Sequence, residues 1–260
     1  MADGPTPILD THVNEPPTVQ GTLDIFHGGW ASAMPGSLGE VQAGQSPLFE
    51  DPRITQTIAA VGGVDGKRVL ELGPLEAAHT TMLEQAGAAS VLAIEGNTKS
   101  YLKCLVVKEL LGLQRSRFLC GDFVSWMEDN PEEHFDLVVA CGVLYHMQDP
   151  VRVIELAAGA GDHLYIWTHY YDASSFSEEV AAMFSEAVPV ERGERTYTYN
   201  KHQYRDDRAA DHFWGSGHHY SVWLSHDDLL AAVRSTGLEV VDTTLHTDGV
   251  PSIEILASRP

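Results

Sequence analysis

The sequence predicts an α/β fold in which helices cover both faces of a doubly wound, mainly parallel sheet. Short β-rich runs alternate with helical patterns from Lys67 onward, which is the order that βαβ units produce. The last two runs are separated only by a turn, Thr247-Asp-Gly-Val-Pro251, and therefore predict an antiparallel hairpin. The chain has 260 residues, which is enough for one such domain with additional segments at its edge.

Seven runs predict the strands of this sheet, and three segments carry clear helix signals. The strand runs cover residues 68–73, 90–95, 117–122, 135–141, 163–168, 238–245 and 252–257. Residues 97–113 place apolar side chains at helical spacing. Ser175 with Glu178, and Ser225 with Asp228, have the spacing of a capping box. They predict helices from Ser175 to about Ala187 and from Ser225 to near Gly237.

The chain divides into a tail and one domain. Residues 1–20 contain four prolines and few apolar side chains, which predicts a mobile tail before a domain over residues 21–260. Within the domain, residues 168–223 form a long insertion, called the lid segment below. It is rich in histidine and in aromatic residues, among them Tyr197, Tyr199, Trp214, Tyr220 and Trp223. Because long insertions of this kind usually cover a binding site, we expect it to form a lid.

Net charge and cysteine spacing indicate which kinds of partner and metal site to expect. The chain carries 37 acidic against 16 basic residues, a formal net charge of −21. This field repels phosphate backbones and anionic lipid, so we expect neither nucleic acid nor a membrane as partner. Cys104, Cys120 and Cys141 lack metal-ligand spacing and are typical of reduced thiols. With no signal peptide and no apolar run long enough to cross a bilayer, we expect a cytoplasmic protein without a metal site.

The ends of four predicted strands carry the residues of a ligand site, because a doubly wound sheet binds its ligand beyond these ends. Gly73 permits close approach of a ligand, and the acidic Glu95 can accept hydrogen bonds from two ribose hydroxyls. The Asp122 carboxylate can accept a hydrogen bond from the exocyclic amine of an adenine. The candidate cofactor-binding residues are Glu71, Gly73, Pro74, Glu95, Gly96, Asp122, Phe123, Cys141 and Gly142.

The loop after the first strand argues against a dinucleotide. Gly73 is followed by Pro-Leu-Glu-Ala-Ala, so the second and third glycines of the dinucleotide fingerprint are missing. A pyrophosphate needs the close approach that those glycines allow. A sulfonium cofactor without phosphates tolerates this loop better.

At these residues the sequence resembles the class I S-adenosylmethionine-dependent methyltransferases. Glu71-Leu-Gly73 is similar to their first motif. Glu95 is similar to the acidic residue that binds the ribose in this family, and Asp122 to the acidic residue that binds the adenine. The segment Gly142-Val-Leu-Tyr-His146 is similar to one found in a subgroup that includes tRNA wobble-uridine carboxymethyl transferases. The resemblance implies the seven-stranded Rossmann-like methyltransferase sheet and S-adenosylmethionine as cofactor. The departure from the family is that Pro74, Ala77 and Ala78 replace glycines.

Two histidines are the candidate catalytic bases. His146 follows the fourth strand and His169 the fifth, and both strand ends border the same cleft. Candidate residues for the acceptor are Tyr145, Tyr170, Arg195, Tyr199, His218 and His219. An arginine of the lid segment, such as Arg195, can grip a carboxylate with two hydrogen bonds.

The sequence therefore predicts methyl transfer from S-adenosylmethionine to an oxygen or nitrogen of a small-molecule acceptor, which can bear a carboxylate. Two alternatives stay open. One is a tRNA-modifying transferase, suggested by the segment that ends at His146 and opposed by the net charge. The other is a non-catalytic cofactor-binding module, suggested by the altered glycine loop.

Overall fold

The main sheet of the protein has seven strands. The computed structural model describes residues 12–204 and 217–260. The strands of the sheet are β1 (Arg68–Leu72), β2 (Ser90–Glu95), β3 (Ser116–Cys120), β4 (Phe135–Cys141), β5 (Gly161–His169), β9 (Glu239–His246) and β10 (Ser252–Ser258). Each lies where the sequence predicts a strand, so the predicted α/β fold is confirmed.

The order of the strands creates a crevice at one edge of the sheet. The order is β3-β2-β1-β4-β5-β10-β9, with β1 parallel to both β2 and β4. Chain order reverses between β1 and β4, and ligands of doubly wound sheets bind at this reversal, beyond the carboxyl ends of the strands. β10 is inserted antiparallel between β5 and β9. The predicted C-terminal hairpin is therefore also confirmed, with its turn at residues 247–251.

Helices cover both faces of the sheet. Those longer than one turn are α1 (Val19–Leu23), α2 (Pro52–Ala60), α3 (Ala78–Gln85), α4 (Thr98–Leu111), α5 (Phe123–Asp129), α6 (Pro150–Ala160) and α8 (His226–Ser235). In β1, Val69 packs on the side of α2 and α3, while its neighbour Leu70 packs on the side of α5, α6 and α8. Among the described residues, no helix is long and apolar enough to cross a membrane.

Side-chain caps fix where several of the helices begin. The Ser225 hydroxyl accepts a hydrogen bond from the backbone N–H of Asp228, at 3.1 Å, as the capping pattern predicts. Asn97, Asp122 and Asp149 cap α4, α5 and α6 in the same way. The helix predicted from residue 97 is confirmed as α4, and the one predicted from Ser225 is confirmed as α8.

The helix predicted from Ser175 to about Ala187 is wrong. The Ser175 hydroxyl bonds to Asp172, and the chain forms only the short helix α7 (Glu178–Ala181), which Ser177 caps. The strand β6 (Phe184–Arg192) follows, in which Pro189 would break a helix. β6 is an edge strand of a second sheet, a position where proline is tolerated.

The described part of the lid segment contains a three-stranded antiparallel sheet in addition to the short helix α7. β6 pairs with β7 (Arg195–Gln203), which pairs with β8 (Tyr220–Trp223). Trp214 of the aromatic set lies outside the described residues.

Polar contacts fasten this second sheet to the main domain. The Asp149 carboxylate, which caps α6, accepts hydrogen bonds from Arg192 and from the Tyr199 hydroxyl, the latter at 2.5 Å. On the other side, the N–H of Val222 donates to the carbonyl of Met147 at 2.7 Å. The second sheet is therefore tied to the segment that follows β4.

The N-terminal segment, residues 19–60, packs beside the crevice and is held by one buried carboxylate. Glu76, which is fully buried, accepts hydrogen bonds from the N–H groups of Ala31 at 3.0 Å and Ser32 at 2.8 Å. It also forms an ion pair of 2.8 Å with Lys103 of α4, whose side chain is only 1% exposed. Lys103 donates a further hydrogen bond to the carbonyl of Gly29. A single ion pair thus joins the N-terminal segment, the loop after β1 and α4. Of the predicted mobile tail, residues 1–11 lie outside the described residues, and α1 begins at Val19.

We predict that Glu76→Gln lowers the free energy of unfolding by about 3–5 kcal/mol, because it leaves the Lys103 charge buried without its carboxylate. Urea unfolding measures this change. Glu133→Gln is the matched control, since Glu133 forms an exposed ion pair with Arg68 and should cost less than about 1 kcal/mol. Equal losses in the two variants would contradict the assigned role of Glu76.

Candidate active site

A cavity of about 1020 Å³ opens at the reversal point of the sheet. It lies beyond the carboxyl ends of β1, β2, β3 and β4, and the N-terminal segment closes one side. The predicted cofactor-binding residues that line it are Gly73, Pro74, Glu95, Gly96, Asp122, Phe123, Cys141 and Gly142. Of the nine, Glu71 alone is not among the lining residues. It is buried under the loop, where its carboxylate accepts a hydrogen bond from Thr80 and burial raises its pKa.

The loop after β1 has left-handed backbone at residues that are not glycine as well as at Gly73. Gly73, Leu75 and Ala77 have φ angles of 65°, 55° and 61°, all in the left-handed region. Left-handed backbone costs a residue with a Cβ roughly 1–2 kcal/mol. Hydrogen bonds hold this shape, since the N–H of Leu75 donates to Glu95 at 3.0 Å and Glu76 is anchored as described above. The loop therefore turns at every second residue and leaves its backbone facing the cavity.

Glu95 connects the loop to the end of β2. Its second carboxylate oxygen accepts the N–H of Asn97 at 2.8 Å, and the side chain is 8% exposed. Burial raises the pKa of Glu95, and the backbone donors at Asn97 and Leu75 oppose that rise. Each carboxylate oxygen has a further lone pair, so the group can accept additional donors from a ligand in the cavity.

Asp122 also lines the cavity and caps a helix there. It caps α5 by accepting the N–H groups of Val124 and Ser125, at 3.0 and 3.2 Å. The side chain is exposed to the cavity, so the cap leaves it accessible to a ligand.

Two cations line the cavity that the sequence analysis did not single out. Arg53 of α2 forms an ion pair of 2.6 Å with Asp51, and His79 of α3 bonds the same carboxylate at 2.9 Å. Burial opposes the charge on His79, but the neighbouring Cys141 and Asp51 outweigh it and raise the pKa of His79 to about 10. With one carboxylate between two cations, this group holds one net positive charge. We call Asp51, Arg53 and His79 the cationic cluster.

The segment after β4 forms the opposite wall. A one-turn 3-10 helix, Leu144–His146, brings Tyr145 and His146 to the cavity beside Trp167. The ring of Tyr145 lies 4.1 Å from that of His146 and 5.9 Å from that of Trp167, measured between centroids. This end of the cavity is therefore aromatic, while the loop and the cationic cluster make the other end polar.

His146 is neutral at physiological pH. Burial, together with the nearby His169 and His202, lowers its pKa to about 4. Its Nδ1 is hydrogen-bonded to the Tyr204 hydroxyl at 2.8 Å. A neutral imidazole keeps one nitrogen lone pair, which is what a general base requires.

His169 does not line the cavity. Its Nδ1 donates to the carbonyl of Pro251 at 3.1 Å, and its ring stacks on Trp223 with centroids 5.3 Å apart. Burial lowers its pKa. The structure thus packs His169 against Tyr145, with ring centroids 4.7 Å apart, and not among the described residues that line the cavity.

The candidate acceptor residues divide between the cavity and other places. Tyr145 and His218 line the cavity, whereas Tyr170, Arg195, Tyr199 and His219 do not. Tyr199 bonds Asp149, and Tyr170 packs in the core, 6.0 Å from the ring of His226. Arg195 lies on the surface near Asp228 and above Tyr197. Among the described residues, the arginine that lines the cavity is Arg53, which belongs to the N-terminal segment.

Among the described residues, no group of three or more potential ligands is arranged to hold a metal ion. The histidines of this region instead pack against aromatic rings, as His202 does on Trp223 with centroids 5.0 Å apart.

Comparison with known proteins identifies the domain. Residues 70–160 match the family model of a methyltransferase domain. No curated protein matches the sequence.

Solved structures share the fold at low sequence identity. The N-terminal domain of EvdMO1, crystallised in the presence of SAH (S-adenosylhomocysteine) and D-fucose, is 22% identical, with a TM-score of 0.67 over 91% of this chain and 96% of that one. Magnesium protoporphyrin IX methyltransferase (ChlM) from Synechocystis PCC 6803, with bound SAH, is 16% identical, with a TM-score of 0.58 over 96% and 90% of the two chains.

A S-adenosylmethionine-dependent methyltransferase from Mesorhizobium loti is 14% identical, with a TM-score of 0.55 over 82% of this chain and 100% of that one. Residues 70–160 therefore match a methyltransferase domain, and the chain shares the fold of these three structures, as the resemblance implied.

We predict that Ala77→Gly is less destabilising than Ala78→Gly by about 1–2 kcal/mol, because glycine adopts the left-handed backbone of residue 77 without strain. Both alanines are buried, at 0% and 3% exposure, so the loss of a methyl group cancels between the two variants. Ala78 begins α3, where the backbone is helical. Thermal or urea unfolding measures the difference. If Ala77→Gly proves the more destabilising change, residue 77 is not left-handed in solution.

Proposed function

We propose that the chain transfers a methyl group from S-adenosylmethionine to a hydroxyl or amine of a small molecule, with His146 as the base. The observation that carries the proposal is that the cavity joins a cofactor loop at one end to a neutral histidine at the other. Bound there, S-adenosylmethionine supplies an electrophilic methyl group on a sulfonium sulfur.

The residues present fit this cofactor. Glu95 would accept hydrogen bonds from the ribose hydroxyls. The cationic cluster would bind the carboxylate of the methionine part through its net positive charge. Ser32 is fully buried and lines the cavity, and its hydroxyl has no hydrogen-bond partner among the described residues, so a polar ligand can supply one. Asp122 and Phe123 lie at the rim where the adenine is expected.

The chain's own residues then align the acceptor and remove its proton. Tyr145 and Trp167 exclude water from the aromatic end of the cavity and favour a cationic methyl donor with their ring faces. The ring nitrogen of His146 that carries no proton would take the proton from the hydroxyl or amine of the acceptor. His169 packs behind Tyr145, so the base role is assigned to His146 alone.

The lid segment contributes a wall to this site. Its residues Tyr204 and His218 reach His146 and the cavity, while its three-stranded sheet docks on the segment after β4. We propose that residues 168–223 belong to a single domain over residues 21–260 and shape the acceptor end of the cavity.

The alternatives have less support. The net charge of −21 opposes the binding of tRNA, and EvdMO1, the first structure compared above, was crystallised with a small sugar, D-fucose. The altered glycine loop motivated the non-catalytic module, but Leu75 and Ala77 keep the left-handed backbone that glycines usually provide. A small-molecule acceptor is therefore the proposal, and a carboxylate on it is not required.

We predict that Glu95→Gln weakens S-adenosylmethionine binding about tenfold or more, because a charge-assisted hydrogen bond to the ribose is lost. Isothermal titration calorimetry on the full chain measures the dissociation constant. Glu109→Gln, on the exposed face of α4, is the control and should bind as the wild type does. Unchanged affinity in a folded Glu95→Gln variant would move the ribose elsewhere.

We predict that His146→Ala lowers turnover by about 10²–10⁴-fold and leaves the dissociation constant of S-adenosylmethionine nearly unchanged. The assay follows SAH formed with small hydroxyl- and amine-bearing acceptors. Because the pKa of His146 is lowered to about 4, kcat/KM of the wild type should persist below pH 6.5 and fall only as the pH approaches 4. His169→Ala is the control, and a larger loss of turnover in it than in His146→Ala would reassign the base.

A further inference from the structure

We infer that Tyr204 is a positioning residue, which accepts a hydrogen bond from Nδ1–H of His146 and so keeps the lone pair of Nε2 directed into the cavity. This inference rests on the proposed function, in which His146 is the base. It concerns which of the two ring nitrogens carries the proton, a choice set in a neutral histidine by the partner of the other nitrogen.

The first support is the geometry of the contact. The Tyr204 hydroxyl lies 2.8 Å from Nδ1 of His146, within the range of a strong hydrogen bond. The two rings are nearly parallel, at 28°, with centroids 6.2 Å apart. Tyr204 therefore restrains both the orientation of the imidazole and the environment of one nitrogen.

The second support is which ring nitrogen is left for an acceptor. Among the described residues, the Tyr204 hydroxyl is the hydrogen-bond partner of the His146 ring, and His146 lines the cavity. With Nδ1 engaged by Tyr204, Nε2 is the nitrogen that remains for an acceptor in the cavity. A base at that position needs Nε2 without a proton, so the proton must reside on Nδ1 and Tyr204 must accept it.

The third support is the rigidity of the elements that hold the two rings. The N–H of Tyr204 donates to the carbonyl of His219 at 3.3 Å, which connects the end of β7 to the start of β8. β8 in turn bonds the segment that carries His146, through Val222 to Met147 and through Nε1 of Trp223 to the carbonyl of Tyr145 at 3.1 Å. The lid segment thus contributes to chemistry by fixing the base, in addition to covering it.

The groups around the two rings favour an uncharged His146–Tyr204 pair. His202 lies beside Tyr204, with centroids 5.7 Å apart, and burial with the nearby His169 lowers the pKa of His202 to about 4. Among the described residues, the group that bonds the His146 ring is the Tyr204 hydroxyl. A neutral acceptor hydroxyl, and not a carboxylate as in a serine protease triad, therefore orients this histidine.

The test is Tyr204→Phe, which keeps the ring and removes only the hydroxyl. We expect turnover to fall on the order of 10- to 100-fold while the dissociation constant of S-adenosylmethionine stays within about twofold of the wild type. Tyr220→Phe is the matched control, because Tyr220 also belongs to the lid segment but contacts Lys201 and not the cavity. Unchanged turnover in Tyr204→Phe would overturn the inference.

A spectroscopic readout separates positioning from a general loss of structure. In ¹⁵N-labelled protein, the ring nitrogens of His146 should show the Nδ1–H tautomer in the wild type and a mixture in Tyr204→Phe, at pH 7. A wild-type spectrum with the proton on Nε2 would mean that Tyr204 donates, and would contradict the inference. This readout needs no acceptor, so it distinguishes a failure of the Tyr204 role from a failure of the proposed function, which would show as absence of SAH formation in the wild type.

Discussion

The site depends on the buried carboxylate of Glu76. This one group binds Lys103 of α4 and the backbone of Ala31 and Ser32, and it stands in the loop that follows β1. Its charge is compensated by the ion pair and by hydrogen bonds from two backbone N–H groups, which is the condition under which a buried charge is tolerated. It acts together with the ion pair between Asp51 and His79, and with the packing of Phe26, Trp30 and Phe49 on the main domain, to hold the N-terminal segment against the open end of the sheet.

The same anchor explains how the loop does without its glycines. Leu75 and Ala77 occupy left-handed backbone that costs each of them free energy. Glu76 lies between them and is fixed on its far side by α4, while Glu95 binds the N–H of Leu75. The strain is therefore offset by contacts that the loop residues make themselves, and the loop keeps the left-handed backbone that glycines usually provide.

Much of the fold could be predicted from local patterns, because strands, turns and helix caps are set by neighbouring residues. The end of β2 at Glu95 and the cap at Ser225 are examples. The cationic cluster could not be predicted, since Arg53 and His79 meet only through the packing of α2 against α3. The strand β6 was hidden as well, because its exposed residues obscure the alternation, and only Pro189 argued against a helix. His146 and His169 looked equivalent in sequence, and the packing of Tyr145 and Trp223 separates them.

Hydrogen–deuterium exchange of the full chain, with and without saturating S-adenosylmethionine, tests the central claim most directly. The account predicts slower exchange in residues 73–79, 95–98 and 121–125 and in the segment 141–147, because the cofactor binds along these strand ends. Residues 29–32 should also be protected, since Glu76 couples them to the loop. The edge strand β9 lies far from the cavity in the order of the sheet and should exchange equally in both states. Unchanged exchange at the strand ends, or protection confined to other parts of the chain, would contradict the account.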